Sequence, residues 1–101
     1  MGARRDVRPV PLRPLDLGRI VATPAAMREL DRAGVAAASL IVRHQRGDWG
    51  QLCQEDHDAN VRALVVGARL LSSYRLPTGA RIWLITEADR SSTCLLLPDD
   101  Y

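Results

Sequence analysis

The apolar residues of this chain change their spacing once, and the change divides a helical first half from a stranded second half. Thr23-Pro24 reads as a helix start: a hydroxyl caps a free N–H, and the proline stands at the first helical position, where its missing N–H costs nothing. Met27 and Leu30 follow on one face, and Gly34 marks the end through the left-handed conformation that glycine tolerates. Between Val35 and Gln45, the residues Ala37, Leu40, Ile41 and His44 fall at helical spacing and put an apolar stripe toward a core, with Gly47 as the stop. Asp48 is placed to cap a turn containing Trp49 and Leu52. A third helix is predicted from Glu55 to Val66, with Val61, Leu64, Val65 and Ala68 on one side. Glu55, Asp56 and Asp58 lie at its start, where the helix dipole favours negative charge.

From Leu70 the period becomes two. Leu70, Ser72, Tyr74 and Leu76 alternate with Leu71, Ser73 and Arg75, the turn Pro77-Thr78-Gly79-Ala80 follows, and Arg81 to Thr86 is rich in strand formers. A second turn, Ala88 to Ser92, leads to a strand from Thr93 to Leu97 that Pro98 ends, because proline cannot donate to a ladder. Trp83 stands in the middle strand, apolar on both faces, and is expected to be largely buried. Arg19-Ile20-Val21-Ala22 is a further short β-like run. The fold class predicted is α+β: a cluster of two to three short helices packed on a three- to four-stranded antiparallel meander.

Ahead of this pattern, residues 1–17 interleave Pro9, Pro11 and Pro14 with arginine, which favours extended backbone and blocks a continuous helix. They are predicted to form an arm, with a strap along the domain through Val10, Leu12, Leu15 and Leu17 as the alternative, and residues 18–101 to form one domain. All 14 basic residues are arginine. Five of them fall in the first 19 residues against Asp6 and Asp16, a net +3, and the remaining nine face ten acids, a net −1. Nucleic-acid binders usually carry a basic face on the folded body, so the charge allows a salt-sensitive contact through the arm and argues against a nucleic-acid-binding domain. With four aromatic residues and no Phe, the core must be built mainly from Leu, Val, Ile and Ala. A domain this small also leaves apolar surface that a second subunit could cover as a homodimer. No apolar run near the start is long enough for a signal core or a membrane span, so the expected location is the cytoplasm, with Cys53 and Cys94 as two reduced, partly buried thiols.

Three segments gather chemistry. Arg43 to Gly50 brings together Arg43, His44, Asp48 and Trp49. His44 is a candidate general base oriented by Asp48; the alternative is that Asp48 caps a helix, Trp49 plugs the core and His44 is a satisfied residue at its edge. In the last turn, Glu87 and Asp89 are paired carboxylates able to divide acid and base roles, beside Arg90 and three hydroxyl residues; the alternative is a polar turn bonded to its own backbone. Cys53 and His57 stand four apart on the third helix, but two ligands do not make a zinc site, so neither a metal nor any other cofactor is expected. Nothing matches a phosphate-binding glycine loop or a nucleophile elbow. Trp49, Arg43 and Arg90 are the candidate binding-surface residues, because Trp and Arg are preferred interface anchors.

The stretches Arg43-His44 through Gly47-Asp48-Trp49-Gly50, Ile82 through Ser91, and Leu97-Pro98-Asp99-Asp100-Tyr101 resemble a family of small uncharacterised bacterial proteins carried on plasmids and other mobile elements, some of them labelled as restriction-modification related. The resemblance runs from Leu17 to Tyr101. It implies a non-enzymatic interaction or regulatory module with a protein partner, acting on a host process such as restriction or CRISPR defence. Two alternatives stand beside it: a small hydrolase or nuclease-like enzyme using His44, Asp48, Glu87 and Asp89, and a nucleic-acid-binding module using the arginine-rich arm.

Overall fold

The computed structural model describes residues 15–101. The order is β1 (Arg19–Ala22), α1 (Pro24–Ala33), α2 (Ala37–Gln45), α3 (Gln54–Val66), β2 (Leu70–Arg75), β3 (Arg81–Thr86) and β4 (Ser92–Leu96), closed by a 3-10 turn at Pro98–Asp100. Local chemistry sets these limits. Thr23 Oγ1 accepts from the Ala26 N–H at 3.1 Å at the start of α1, and Gly34 ends the helix at φ 67°. The fold is the predicted α+β class, with one correction to the sheet. Its strand order is β1-β4-β3-β2, and β1 lies parallel to β4 while the other pairs are antiparallel, so the sheet is mixed. A parallel pair needs a long crossover connection, which the three helices and the β2–β3 hairpin supply.

The helices cover one face of the sheet. Ala26 and Leu30 of α1 and Leu40 of α2 pack on Tyr74, Leu76, Ile82, Leu84 and Leu95. Met27, expected beside Leu30, is exposed; the buried face of α1 runs through Ala26 instead. A second cluster joins Trp49, Ala63 and Leu70, with Leu15 and Leu52 against it. Leu17 is buried and Gln45 donates to the Leu15 carbonyl at 3.0 Å, so residues 15–17 of the predicted arm lie along the domain. The rest of the arm, and any nucleic-acid contact through it, falls outside the described residues.

Trp83 is half-buried rather than buried, because it lies on the face of the sheet away from the helices. There the Tyr101 ring meets it edge-on at 5.8 Å, and the Tyr101 hydroxyl accepts from Arg69 at 2.5 Å.

The two edges of the sheet are treated differently. On β2, Leu71 donates its N–H to Asn60 Oδ1 at 3.0 Å and its carbonyl accepts from Asn60 Nδ2 at 2.7 Å. Ser73 is bonded through N–H to the Trp49 carbonyl and through C=O to the Gln51 N–H, and the Arg75 N–H donates to Gln51 Oε1. Gly50, at φ 73°, makes this closure possible, since a Cβ there would collide with the Ser73 carbonyl. The edge at β1 has no such cover among the described residues.

Candidate functional site

The most ordered polar feature is a line of side chains under the helices. His44 comes from α2, Ser72 from β2, Thr86 from β3 and Thr93 from β4, and all four are fully buried. His44 Nδ1 lies 2.5 Å from Ser72 Oγ and Nε2 lies 2.8 Å from Thr86 Oγ1. Thr86 Oγ1 is 2.7 Å from Thr93 Oγ1, and Thr93 donates to the Leu17 carbonyl at 2.8 Å. The last bond fixes all the others. Leu17 O can only accept, so the Thr93 proton is committed to it and Thr86 must donate to Thr93. Thr86 then accepts from His44 Nε2–H, which leaves Nδ1 as the acceptor of the Ser72 hydroxyl. The acceptor role of Nδ1 follows from a neutral ring, and burial makes it so, its pKa being lowered to about 4 by desolvation.

A serine hydroxyl donating to an imidazole is the pairing of a nucleophile with its base. Here neither partner reaches solvent, and both imidazole nitrogens are engaged by hydroxyls. Among the described residues every buried side-chain nitrogen and oxygen has a partner. The line ties α2 to three strands and to the incoming chain at Leu17.

Asp48 does not orient His44. Its carboxylate is gripped by Arg43, Nε to Oδ2 at 2.6 Å and Nη2 to Oδ1 at 3.2 Å, and that bond holds its pKa below the ordinary range. The Arg43 guanidinium lies over the Tyr74 ring at 4.5 Å, and the Tyr74 hydroxyl donates to the Asp48 carbonyl at 2.5 Å. Burial pushes the Tyr74 phenol up to about 12, so it remains a donor. Together these contacts clamp the loop after α2 onto the sheet. Trp49, in the same loop, is only 8% exposed and fills the second cluster, with His57 edge-on at 5.3 Å. It presents no surface for a partner to anchor on.

In the β3–β4 turn, Glu87 and Asp89 are exposed. Hydrogen bonds from the Ser91 hydroxyl and from the Ser91 N–H, the latter to Oδ1 at 2.9 Å, lower the Asp89 pKa; Glu87 bonds through its backbone to Ser92 and Arg90. Arg90 sits in the left-handed region at φ 61°. Its guanidinium donates to the carbonyls of Ala68 at 2.6 Å, Glu87 at 3.1 Å and Ala63 at 3.2 Å. It therefore adds a third donor to the Ala63 carbonyl, which already accepts from the Gly67 and Ala68 N–H groups, bonds the Ala68 carbonyl just past α3, and sets a positive charge at the negative end of the helix dipole.

Cys53 is exposed ahead of α3 and Cys94 is half-buried in β4, with the Cys94 thiol pushed up by burial; both are free. Among the described residues no three His, Cys, Asp or Glu side chains gather as metal ligands, and no helix is long and apolar enough to cross a membrane.

The sequence put Val61, Leu64, Val65 and Ala68 on one side of α3 without saying which way that side faces. The stripe Val61, Leu64 and Val65 faces outward at 48%, 53% and 83% exposure, and Val66 beside it at 72%. The buried positions are Asn60 and Ala63. Asn60 decides the rotation: turning the helix to bury Val61 and Val65 would strip Leu71 of both its edge bonds. Ala63 is small enough for the close approach to Trp49 and Leu70. The signal was present in the series Asn60, Ala63 and Gly67, which is small or amide-bearing at helical spacing and marks a face that packs closely on a backbone.

Compared with protein-family models, with curated proteins and with solved structures, the chain gives no match.

Proposed function

We propose that this domain is a non-enzymatic protein-interaction module whose contact surface is the outer face of α3. The observation that carries the reading is the apolar stripe Val61, Leu64, Val65 and Val66, held in water by a helix whose opposite face is pinned to the sheet. Such a patch is on the order of a few hundred Å², comparable with the largest apolar patch on a typical monomer, which is often functional. Glu55, Asp56 and Asp58 are exposed on the same helix. The partner that fits is an amphipathic segment with an apolar stripe flanked by Arg or Lys. The polar candidates support the same reading, since His44, Asp48, Trp49 and Arg90 are each engaged in holding the fold. The resemblance to proteins of mobile elements adds the setting: a host protein as the partner, in a process such as restriction or CRISPR defence.

Photo-crosslinking tests this. A crosslinker at Val65, in cells of the native host, is expected to join the domain reproducibly to one protein, and the same group at exposed Arg32 on α1 is not. Leu64→Glu should abolish the crosslink while leaving the melting temperature within a few degrees, as surface substitutions usually do. Capture that is equal from both positions, or indifferent to Leu64→Glu, refutes the reading.

A further inference from the structure

The β1 edge of the sheet, uncovered among the described residues, carries a second, independent surface. In the parallel pair, Arg19 donates to the Ser91 carbonyl at 3.0 Å and Thr23 to the Leu95 carbonyl at 2.9 Å. A strand directs the backbone groups of alternate residues to opposite sides. Arg19, Val21 and Thr23 therefore face β4, and the N–H and C=O of Ile20 and Ala22 face away from the sheet with no bond among the described residues. Ile20 is 47% exposed and Val21 38%. The opposite edge, on β2, is closed group by group by Asn60, Trp49 and Gln51. An apolar edge left open beside one so fully closed is a template for strand addition.

We propose that β1 pairs antiparallel with β1 of a second copy of this chain, giving a symmetric dimer with one sheet running through both subunits. The register is self-complementary. With the two-fold axis at Val21, Ile20 of each copy lies opposite Ala22 of the other, and each such pair exchanges both its hydrogen bonds. All the outward groups of β1 are then satisfied. The two Val21 residues form the non-hydrogen-bonded pair, where side chains approach most closely, on the face that carries Cys94.

Charge fixes the same register. Arg19 of one copy falls opposite Thr23 of the other, and the Thr23 hydroxyl donates to Asp100 Oδ2 at 2.7 Å. Arg19 is exposed, and among the described residues its side chain makes no ion pair. The dimer sets it beside the Asp100 carboxylate twice over, once on each side of the axis. A four-residue strand makes a small interface, so the dissociation constant is expected on the order of 10–100 µM.

Sedimentation of the full chain from about 1 µM to about 1 mM reads the equilibrium, with the 11.1 kDa monomer giving way to a species of twice that mass. Amide exchange at the two ends of the range should show Ile20 and Ala22 gaining protection with concentration. Ile20→Pro removes one outward N–H per copy and is compatible with an edge strand, so it should abolish the dimer and leave the circular dichroism unchanged. Arg19→Glu should weaken dimerisation about tenfold, because both copies of the charge pair are lost at once. A chain that stays monomeric throughout overturns the proposal. So does a dimer that survives Ile20→Pro but is broken by Leu64→Glu, which places the contact on α3. Protection of Ile20 and Ala22 that is independent of concentration and lost on removing residues 1–14 also overturns it, since the edge is then covered from within the chain.

Discussion

Protonation of His44 is the sharpest perturbation of the buried line of hydroxyls. In the unfolded chain the imidazole titrates near 6.5, and in the folded domain burial lowers this to about 4. Between those values the unfolded chain binds more protons than the folded one. The contribution is therefore fully present above about pH 6.5 and is lost as pH falls toward 4. At 1.36 kcal/mol per unit, the loss integrates to about 2 kcal/mol at pH 5 and about 3 kcal/mol at pH 4. For a domain of this size 2 kcal/mol is a fall of roughly 10 °C in melting temperature. The geometry points the same way, because a charged ring donates from both nitrogens and the Ser72 hydroxyl would have to turn from donor to acceptor inside a closed core. Urea unfolding of wild type and His44→Leu at pH 7.5, 6 and 5 isolates the effect, since all other ionisable groups are common to both proteins. The variant should be less stable at pH 7.5, with Ser72 and Thr86 left without their partner, but should show a flatter pH dependence. Equal losses of stability in the two proteins between pH 7.5 and pH 5 would refute the buried neutral histidine. A nitrogen NMR spectrum at neutral pH offers a second check, and should report His44 protonated on Nε2 alone.

Three further outcomes follow from the packing. Asn60→Ala leaves the N–H and C=O of Leu71 without partners and should cost about 2–3 kcal/mol by urea unfolding, with faster amide exchange at Leu71. Arg90→Ala removes the positive charge at the end of α3 and its bonds to the Ala63 and Ala68 carbonyls, and should cost about 1–2 kcal/mol, with amide exchange rising selectively at Ala63 to Val66. Trp83→Ala removes a half-buried ring that meets Tyr101, so its cost should be near 2 kcal/mol, below the 3–5 kcal/mol typical of a fully buried aromatic; a loss in that higher range would place Trp83 in the core after all.

The local elements were legible because their signals are local. Thr23-Pro24 and Gly34 bound α1 through groups within a few residues, and the change of period at Leu70 separates helices from strands. The clamp of Arg43 on Asp48 spans five positions, and its chemistry was visible as a polar cluster although its pairing was not. Where the outcome depended on distant backbone, periodicity failed. The stripe Val61, Leu64 and Val65 reads as an apolar helical face. It lies in water because the Asn60 amide bonds both edge groups of Leu71, eleven residues on, and that contact sets the rotation of the helix with Ala63 inward. His44 was legible as a histidine at the end of an apolar stripe. Its partners lie 28 and 42 residues away, on strands whose register only the assembled sheet sets. The pairing of β1 with β4 has the same origin, since four residues of strand former carry no mark of direction or partner. The sequence by itself determined which segments are helix or strand and where each ends. The tertiary structure alone decided which face of α3 meets water and which edge of the sheet is closed by side chains and loop backbone, because both turn on hydrogen bonds between residues that become neighbours only in the folded chain.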